Sequence, residues 1–460
     1  MRRLSGWGRA AYSRAKVITV QSAGEVSDVL ADKAIRSGGV IARGAGRSYG
    51  DAAQNAGGTV LDLTALDRVL TIDTQQQLVR VQAGITYARL LDELVPRGFT
   101  LPVIPGTRHV TVGGAIASDV HGKNHPRDGS LARHVVSFTI CTPADGCRQI
   151  SPQADRELFL ATLGGMGLLG IIVEATLAIE PLRTPWWAVD IDRTDSLDDT
   201  LTLMGHDDGH RFSVAWLDLL ASGSKLGRAV VTRSNEWTAE ASETSVPFAG
   251  GGTGASRGQL TPQPRLRVPP GFPGAVLQPP LIGAFNALRW RAFPRRERAR
   301  RTPLAPHFFP LDGFGSWNRL YGSRGLLQYQ FAVSDAEQDT LVRCVETLRE
   351  RRVPTFLAVL KRLGPGSGAP LSFPLAGWTL ALDIPAAATG LGPSLDALDE
   401  LVADAGGRVY LTKDLRLRRD LLSAMYPELE RFRAQHALVD PDGVLRSDLG
   451  RRQGLCRTDS

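Results

Sequence analysis

Ile41-Ala42-Arg43-Gly44-Ala45-Gly46-Arg47-Ser48-Tyr49-Gly50-Asp51 follows a short β-branched run and offers three glycines, consecutive backbone N–H groups and a hydroxyl. Such a loop can curl its amides around a pyrophosphate, because glycine tolerates close approach and left-handed dihedrals. A plain turn has the same composition. A Rossmann fingerprint does not fit, since Gly44-Ala45-Gly46 runs into Arg47-Ser48-Tyr49 instead of opening a helix.

Two further glycine clusters follow. In Pro105-Gly106-Thr107-Arg108-His109-Val110-Thr111-Val112-Gly113-Gly114-Ala115-Ile116-Ala117-Ser118-Asp119-Val120-His121-Gly122-Lys123-Asn124-His125, the small residues from Gly113 to Ser118 allow a flat ligand to approach closely. His121, Lys123, Asn124 and His125 then deliver polar groups beside it. His121 and His125 lack a third ligand and Gly122 interrupts any helix between them, so no metal is expected. The third cluster, Gly164-Gly165-Met166-Gly167-Leu168-Leu169-Gly170, leads into the apolar run Ile171-Ile172-Val173, where a pure packing role competes with ligand contact.

Around these clusters, residues 1–181 alternate short β-branched runs with amphipathic stretches such as Glu25 to Ser37 and Tyr87 to Arg97, an α+β unit. From 182 to 405 the texture changes to longer alternating strands and helices, a second unit built on an antiparallel sheet. Within it, 242–306 is rich in Gly, Pro and Arg and reads as a mobile basic insertion. A third segment, 406–460, carries a strand expected from Arg408 to Thr412, with Lys413 at its end.

At 460 residues the chain exceeds one core, and 43% hydrophobic with 22% charged residues describes a globular protein. A net charge of +7 favours anionic partners. Arg289 to Arg301 packs seven arginines against one glutamate, with Trp290 and Phe293 interleaved. No nucleic-acid recognition motif accompanies it. Cys141 and Cys147 flank a turn and could face each other across a hairpin, but reduced thiols are the expectation. No secretory leader is visible, and no run fits a bilayer-spanning helix.

The three clusters in this order resemble the vanillyl-alcohol oxidase type of FAD-binding domain. The resemblance implies that the first loop wraps the pyrophosphate and that the second passes the isoalloxazine and ribityl chain. The third, through Gly167, Gly170 and Ile172, would contact the adenosine side. Many members carry a covalently attached histidine in the first loop where this chain has Arg47, which implies a non-covalent FAD.

The resemblance extends along nearly the whole chain. Leu311-Asp312, Trp317-Asn318-Arg319, Gly325-Leu326-Leu327-Gln328-Tyr329-Gln330-Phe331, Leu363-Gly364-Pro365, Gly377-Trp378, Tyr410-Leu411-Thr412-Lys413-Asp414 and Ala424-Met425-Tyr426-Pro427 are similar to the actinobacterial oxidases of polyprenyl-phosphoryl ribose. That family begins a ribose-to-arabinose epimerisation for cell-wall arabinan, and an NADH-dependent keto-reductase completes it. The likeness implies a peripheral enzyme at a membrane surface. Oxidising a secondary alcohol needs a base, for which Lys413 is preferred and His121 is the rival. Tyr49, Lys123, Gln328, Gln330 and Lys361 would complete a polar pocket, with Trp216 as a packing wall. Ala381 stands where mycobacterial members have a cysteine, and Phe308 where they have a tyrosine. A soluble sugar-lactone or alditol oxidase, and a non-catalytic carrier-binding partner of the reductase, are the alternatives.

Overall fold

The computed structural model describes residues 1–238, 264, 266–274 and 277–456. The fold is α+β. In the N-terminal unit, Tyr12–Thr19 and Val40–Arg43 flank Thr59–Asp62 in parallel, and Arg2–Ser5 closes the edge. A second sheet orders Val69–Asp73, Leu78–Gln82, Ile171–Ala178, Val135–Thr142 and Gly146–Ile150, all antiparallel. The β-branched runs read from the sequence are these strands. Their buried positions, among them Val40, Ile41, Val60, Val79, Val81 and Ile140, are fully enclosed.

The second unit is an eight-stranded antiparallel sheet. Its order is Arg296–Pro303, Trp186–Thr194, Ala229–Glu236, Phe212–Leu217, Leu357–Leu363, Gly377–Pro385, Leu326–Ser334 and Arg408–Val409. Period-2 alternation divides its faces. Tyr329, Phe331 and Val333 join a core with Leu341, Val345 and Leu398 from the helices Gln338–Glu350 and Leu391–Asp404, and Tyr329 Oη donates to Asp399 Oδ1 at 2.9 Å. Gln328 and Gln330, which alternate with them along the strand, belong to the opposite face.

Three expectations are corrected. The insertion 242–306 is only partly outside the described residues, at 242–263, 265 and 275–276. Pro279–Ala292 is a helix and Arg296–Pro303 is the sheet's edge strand, paired with Trp186–Thr194. Arg296 and Arg298 are held there by acids on the neighbouring strand, as Arg298 Nη2 donates to Asp192 Oδ1 at 2.8 Å. The strand expected from Arg408 to Thr412 stops at Val409, and Lys413 sits in a turn whose N–H donates to Tyr410 O at 2.9 Å. Cys141 and Cys147 form a disulfide, because the hairpin register sets them directly opposite.

The C-terminal segment returns to the first loop. Tyr49 N donates to Thr412 O at 3.2 Å, and Arg446 N to Val40 O at 2.9 Å. Gly50 is required at this crossing: a Cβ there would lie 1.7 Å from Asp414 O.

Candidate functional site

A cleft open to solvent is bordered by both sheets of the N-terminal unit. Gly44 to Ser48 of the first loop, Thr111, Gly113, Gly114, Ala117 and Ser118 of the second, and Gly167, Gly170 and Ile172 of the third all line it. The walls are close because side chains are missing. A Cβ on Gly44 would meet Thr111 Oγ1 at 2.1 Å, and Gly46 and Gly167 hold φ of +64° and +78°. Thr111 caps the helix Val112–Ala117 by accepting from Gly114 N at 3.3 Å. The Arg47 guanidinium lies 3.9 Å from the Trp7 ring centroid, and its Nε is buried without a partner.

Other residues expected beside the ligand do not line this cleft. Arg43 is a strut whose guanidinium donates to Ser5 O at 2.7 Å and Ala53 O at 3.1 Å. Val112 is core. Thr107 Oγ1 donates to Asp312 Oδ1 at 2.8 Å, next to Gly106. Asn124 Nδ2 donates to Pro102 O at 2.8 Å, and Gly122 leaves room for that side chain. Tyr49 and His121 belong to a neighbouring polar region.

The eight-stranded sheet supplies that region. Its register aligns Trp216, Val359, Ala381 and Gln330 in one row. Lys361 and Thr379 form the next row, and Leu357, Asp383 and Gln328 a third. Cross-strand partners share a face, so Trp216, Gln328, Gln330, Lys361 and Ala381 stand on one face of the sheet. Sequence reasoning missed Thr379 and Asp383. The signal was available, because both lie two residues from Ala381 on one strand.

Hydrogen bonds fix this face. Thr379 Oγ1 donates to Phe331 O at 2.8 Å, Gln330 Nε2 donates to Thr379 Oγ1 at 3.0 Å, and Gln330 Nε2 lies 3.1 Å from His121 Nε2. Gln328 Nε2 donates to Asp383 Oδ1. Gln328 Oε1, Gln330 Oε1 and Asp383 Oδ2 are buried acceptors with no partner.

The region is electrostatically tense. Burial and the Lys361 cation push the Lys413 ammonium down to about 7, against the upward pull of Asp383. Burial lowers Lys361 to about 8, and burial with Lys361 lowers Lys123 to about 7. Burial raises the Asp383 carboxyl to about 6. His121 is held well below the usual imidazole value by burial and then by Lys361, His125 and Lys413. Lys413 Nζ sits 5.6 Å from the Tyr49 ring centroid and 5.8 Å from that of Tyr410. Lys123 is turned aside, its ammonium donating to His307 O, 6.0 Å from the Phe308 ring.

His125 Nδ1 accepts from Gly364 N at 2.9 Å. Among the described residues no group of three His, Cys, Asp or Glu is placed to hold a metal, and no helix is long and apolar enough to cross a membrane.

Residues 15–149 match the FAD binding domain family. The chain is 39% identical to the decaprenylphosphoryl-β-D-ribose oxidase of Mycolicibacterium smegmatis over 99% of its own length and 98% of the relative's. It is 40% identical to an uncharacterized Streptomyces coelicolor protein over 81% of this chain and all of that one. An alditol oxidase from a Streptomyces species is 32% identical over 39% of this chain and 42% of the oxidase. With a likeness that runs the length of both proteins, the chain belongs to the decaprenylphosphoryl-β-D-ribose oxidase family of FAD-dependent oxidoreductases, within the vanillyl-alcohol oxidase type.

Proposed function

We propose that this enzyme oxidises the 2'-hydroxyl of a polyprenyl-phosphoryl-β-D-ribose to the 2'-keto sugar, as a peripheral membrane-associated enzyme of an actinobacterial cell. The observation that carries the reading is the trio of unpartnered acceptors on one sheet face, Gln328 Oε1, Gln330 Oε1 and Asp383 Oδ2. Buried acceptors are costly unless a donor reaches them. A pentose ring brings several O–H donors at once. The full-length relative supports the same substrate class, whereas the alditol oxidase matches only 39% of this chain.

The residues present fit FAD. Backbone N–H groups and glycines without side chains line the cleft, and the orphaned Arg47 Nε provides a cation beside it. Gly44, Ala45, Gly46 and Ser48 would cradle the pyrophosphate, Thr111 to Ser118 the flat ring system, and Gly167, Gly170 and Ile172 the adenosine end. Arg47 offers no nucleophile for a covalent link, so the cofactor is held non-covalently. When bound, FAD supplies the hydride acceptor.

Lys413, its ammonium pushed down to about 7, takes the hydroxyl proton in its neutral form. His121 does not serve as base, because its Nε2 lone pair already accepts from Gln330. It donates through Nδ1 and orients the sugar. Tyr49, Gln328, Gln330 and Lys361 complete the pocket, with Trp216 as its outer wall. Lys123, tied to His307 O, stands at the margin. The keto product passes to an NADH-dependent keto-reductase, which completes the epimerisation to the arabinose donor for cell-wall arabinan.

The test is anaerobic bleaching of the flavin absorbance by a polyprenyl-phosphoryl ribose. Bleaching by the lipid sugar and not by free alditols is expected. Bleaching by alditols alone overturns the substrate assignment, and undiminished bleaching in Lys413→Ala removes Lys413 as base.

A further inference from the structure

The helix Pro279–Ala292 is amphipathic the wrong way round for a surface helix. Leu281, Phe285 and Leu288 are 56%, 46% and 70% exposed, and at 3.6 residues per turn they fall within an arc of about 60°. Its opposite face is tied to the protein. Ile282 joins the cluster of Trp317 and Tyr321, and Asn286 Nδ2 donates to Asp218 Oδ1 at 3.1 Å. Arg289, on the flank, places its guanidinium 4.9 Å from the ring centroid of Trp216, the outer wall of the sugar pocket. Nearby in the chain, Leu266 and Phe314 are 67% and 50% exposed and are register partners in a two-stranded pair. Among the described residues, the other exposed large apolar side chains, Met1, Tyr12, Val136 and Leu438, are scattered through the sequence.

The C-terminal end of this helix is cationic, with Arg291 in its last turn and Arg295 just beyond it. Arg291 and Arg295 are exposed, and neither has a carboxylate partner among the described residues.

We infer that the Leu281–Phe285–Leu288 face of this helix seats the enzyme on an anionic lipid bilayer, with Arg291 and Arg295 against the headgroups. The inference rests on the lipid-linked substrate reading and adds where the protein meets the lipid. An apolar stripe bordered by unpaired arginines matches the acyl and phosphate layers of a bilayer in turn. A second copy of this chain fits worse, since a twofold contact would bring the same arginines together in a protein of net charge +7. Arg289 on the flank of the helix lies over Trp216, so the seat adjoins the pocket that takes the sugar.

The FAD-loaded enzyme would be sedimented with vesicles of phosphatidylcholine alone and of phosphatidylcholine with phosphatidylglycerol. Stronger binding to the anionic vesicles is expected. The triple variant Leu281→Ser, Phe285→Ser, Leu288→Ser should lower partition by at least about tenfold while keeping its flavin absorbance. Arg291→Gln with Arg295→Gln should abolish the preference for phosphatidylglycerol.

Equal partition of wild type and the triple variant, or wild type left in the supernatant, overturns the inference. So does a wild-type dimer that the triple variant dissociates, which would assign the face to a second copy. So does binding of the keto-reductase through this face without vesicle binding. Flavin reduction by a short-chain, water-soluble polyprenyl-phosphoryl ribose, measured on the same samples, separates the two readings. Vesicle binding without reduction removes the substrate and leaves the lipid seat standing, and reduction without vesicle binding removes the seat alone.

Discussion

Nε2 of Gln330 lies 3.1 Å from Nε2 of His121, and the bonds behind it leave one arrangement of protons. Phe331 O can only accept, so Thr379 donates to it and accepts from the Gln330 amide nitrogen at 3.0 Å. The second N–H of that amide points at His121, whose Nε2 must accept and whose Nδ1 carries the hydrogen. Nitrogen NMR of histidine-labelled enzyme should show the Nδ1–H tautomer. Gln330→Glu should convert His121 to imidazolium at neutral pH, since a carboxylate favours the charged ring. Gln330→Met should slow flavin reduction about tenfold, the equivalent of one neutral hydrogen bond. An Nε2–H tautomer in the wild type would break this chain of assignments.

Lys413 sets a pH profile with a defined sign. Its ammonium is pushed down to about 7, so flavin reduction should rise with pH through an inflection near that value. Lys361→Met removes the cation that lowers Lys413 and should move the inflection up. Asp383→Asn removes the carboxylate that raises it and should move the inflection down. Stopped-flow reduction across roughly pH 5 to 9, about two units either side of that inflection, reads both shifts. The same group gives a stability prediction. Between about 7 and the unfolded lysine value of about 10.4 the unfolded chain binds more protons, so the Lys413 contribution to stability rises with pH across that window. Shifts of the same sign in the two variants would exclude Lys413 as the titrating base.

The strands of the N-terminal unit were readable because β-branched runs between glycine turns carry their own signal, and the runs around Val40, Val60, Leu78 and Ile171 are strands. The helix Pro279–Ala292 was not, because its exposed face is apolar and its surroundings are rich in Gly, Pro and Arg. Nor was the end of the strand at Val409, which depends on the turn that Tyr410 makes after donating to Gln330 O. The three glycine clusters named the cleft, since positions drawn from all three, from Gly44 to Ile172, line it together. Asp383 was overlooked although its spacing of two from Ala381 on one strand was legible, because its row partner Gln328 comes from a strand distant in sequence.

Gly44 tests the cleft directly. A Cβ at this position would come within 2.1 Å of Thr111 Oγ1 and 3.0 Å of Thr111 Cγ2, driving the first and second loops apart. Gly44→Ala should weaken FAD binding by about tenfold or more, a loss of the order expected for strain of 1–3 kcal/mol at a close backbone approach. Combining it with Thr111→Ala removes both clashing atoms and should restore part of the affinity. Fluorescence titration of the apoprotein with FAD measures each step, and unchanged affinity in Gly44→Ala would remove the first loop from the cofactor site.

Arg452 ties the turn that carries Lys413 to the loop that precedes it in the site. Its Nη1 donates to Asp414 Oδ2 at 2.7 Å and its Nη2 to Asp51 Oδ1 at 2.9 Å, and both acids are buried. Removing one member of a buried ion pair costs about 3–5 kcal/mol, because the partner keeps its desolvation penalty without its counter-charge. Arg452→Met should therefore lower the guanidinium midpoint of the FAD-loaded enzyme and slow flavin reduction by loosening the Lys413 turn. The deficit should depend on pH. Burial already raises the Asp51 carboxyl while Arg452 draws it down, so the variant raises it further. A folded-state carboxyl above its unfolded value binds the extra proton in the native state, and stability then falls as pH rises through that interval. The variant should lie closer to wild type at about pH 5 than at about pH 8, because the raised carboxyl is protonated more fully at the lower value. Asp51→Asn added to Arg452→Met should flatten that dependence, and a deficit equal at both pH values would show that the unpaired Asp51 charge is not its cause.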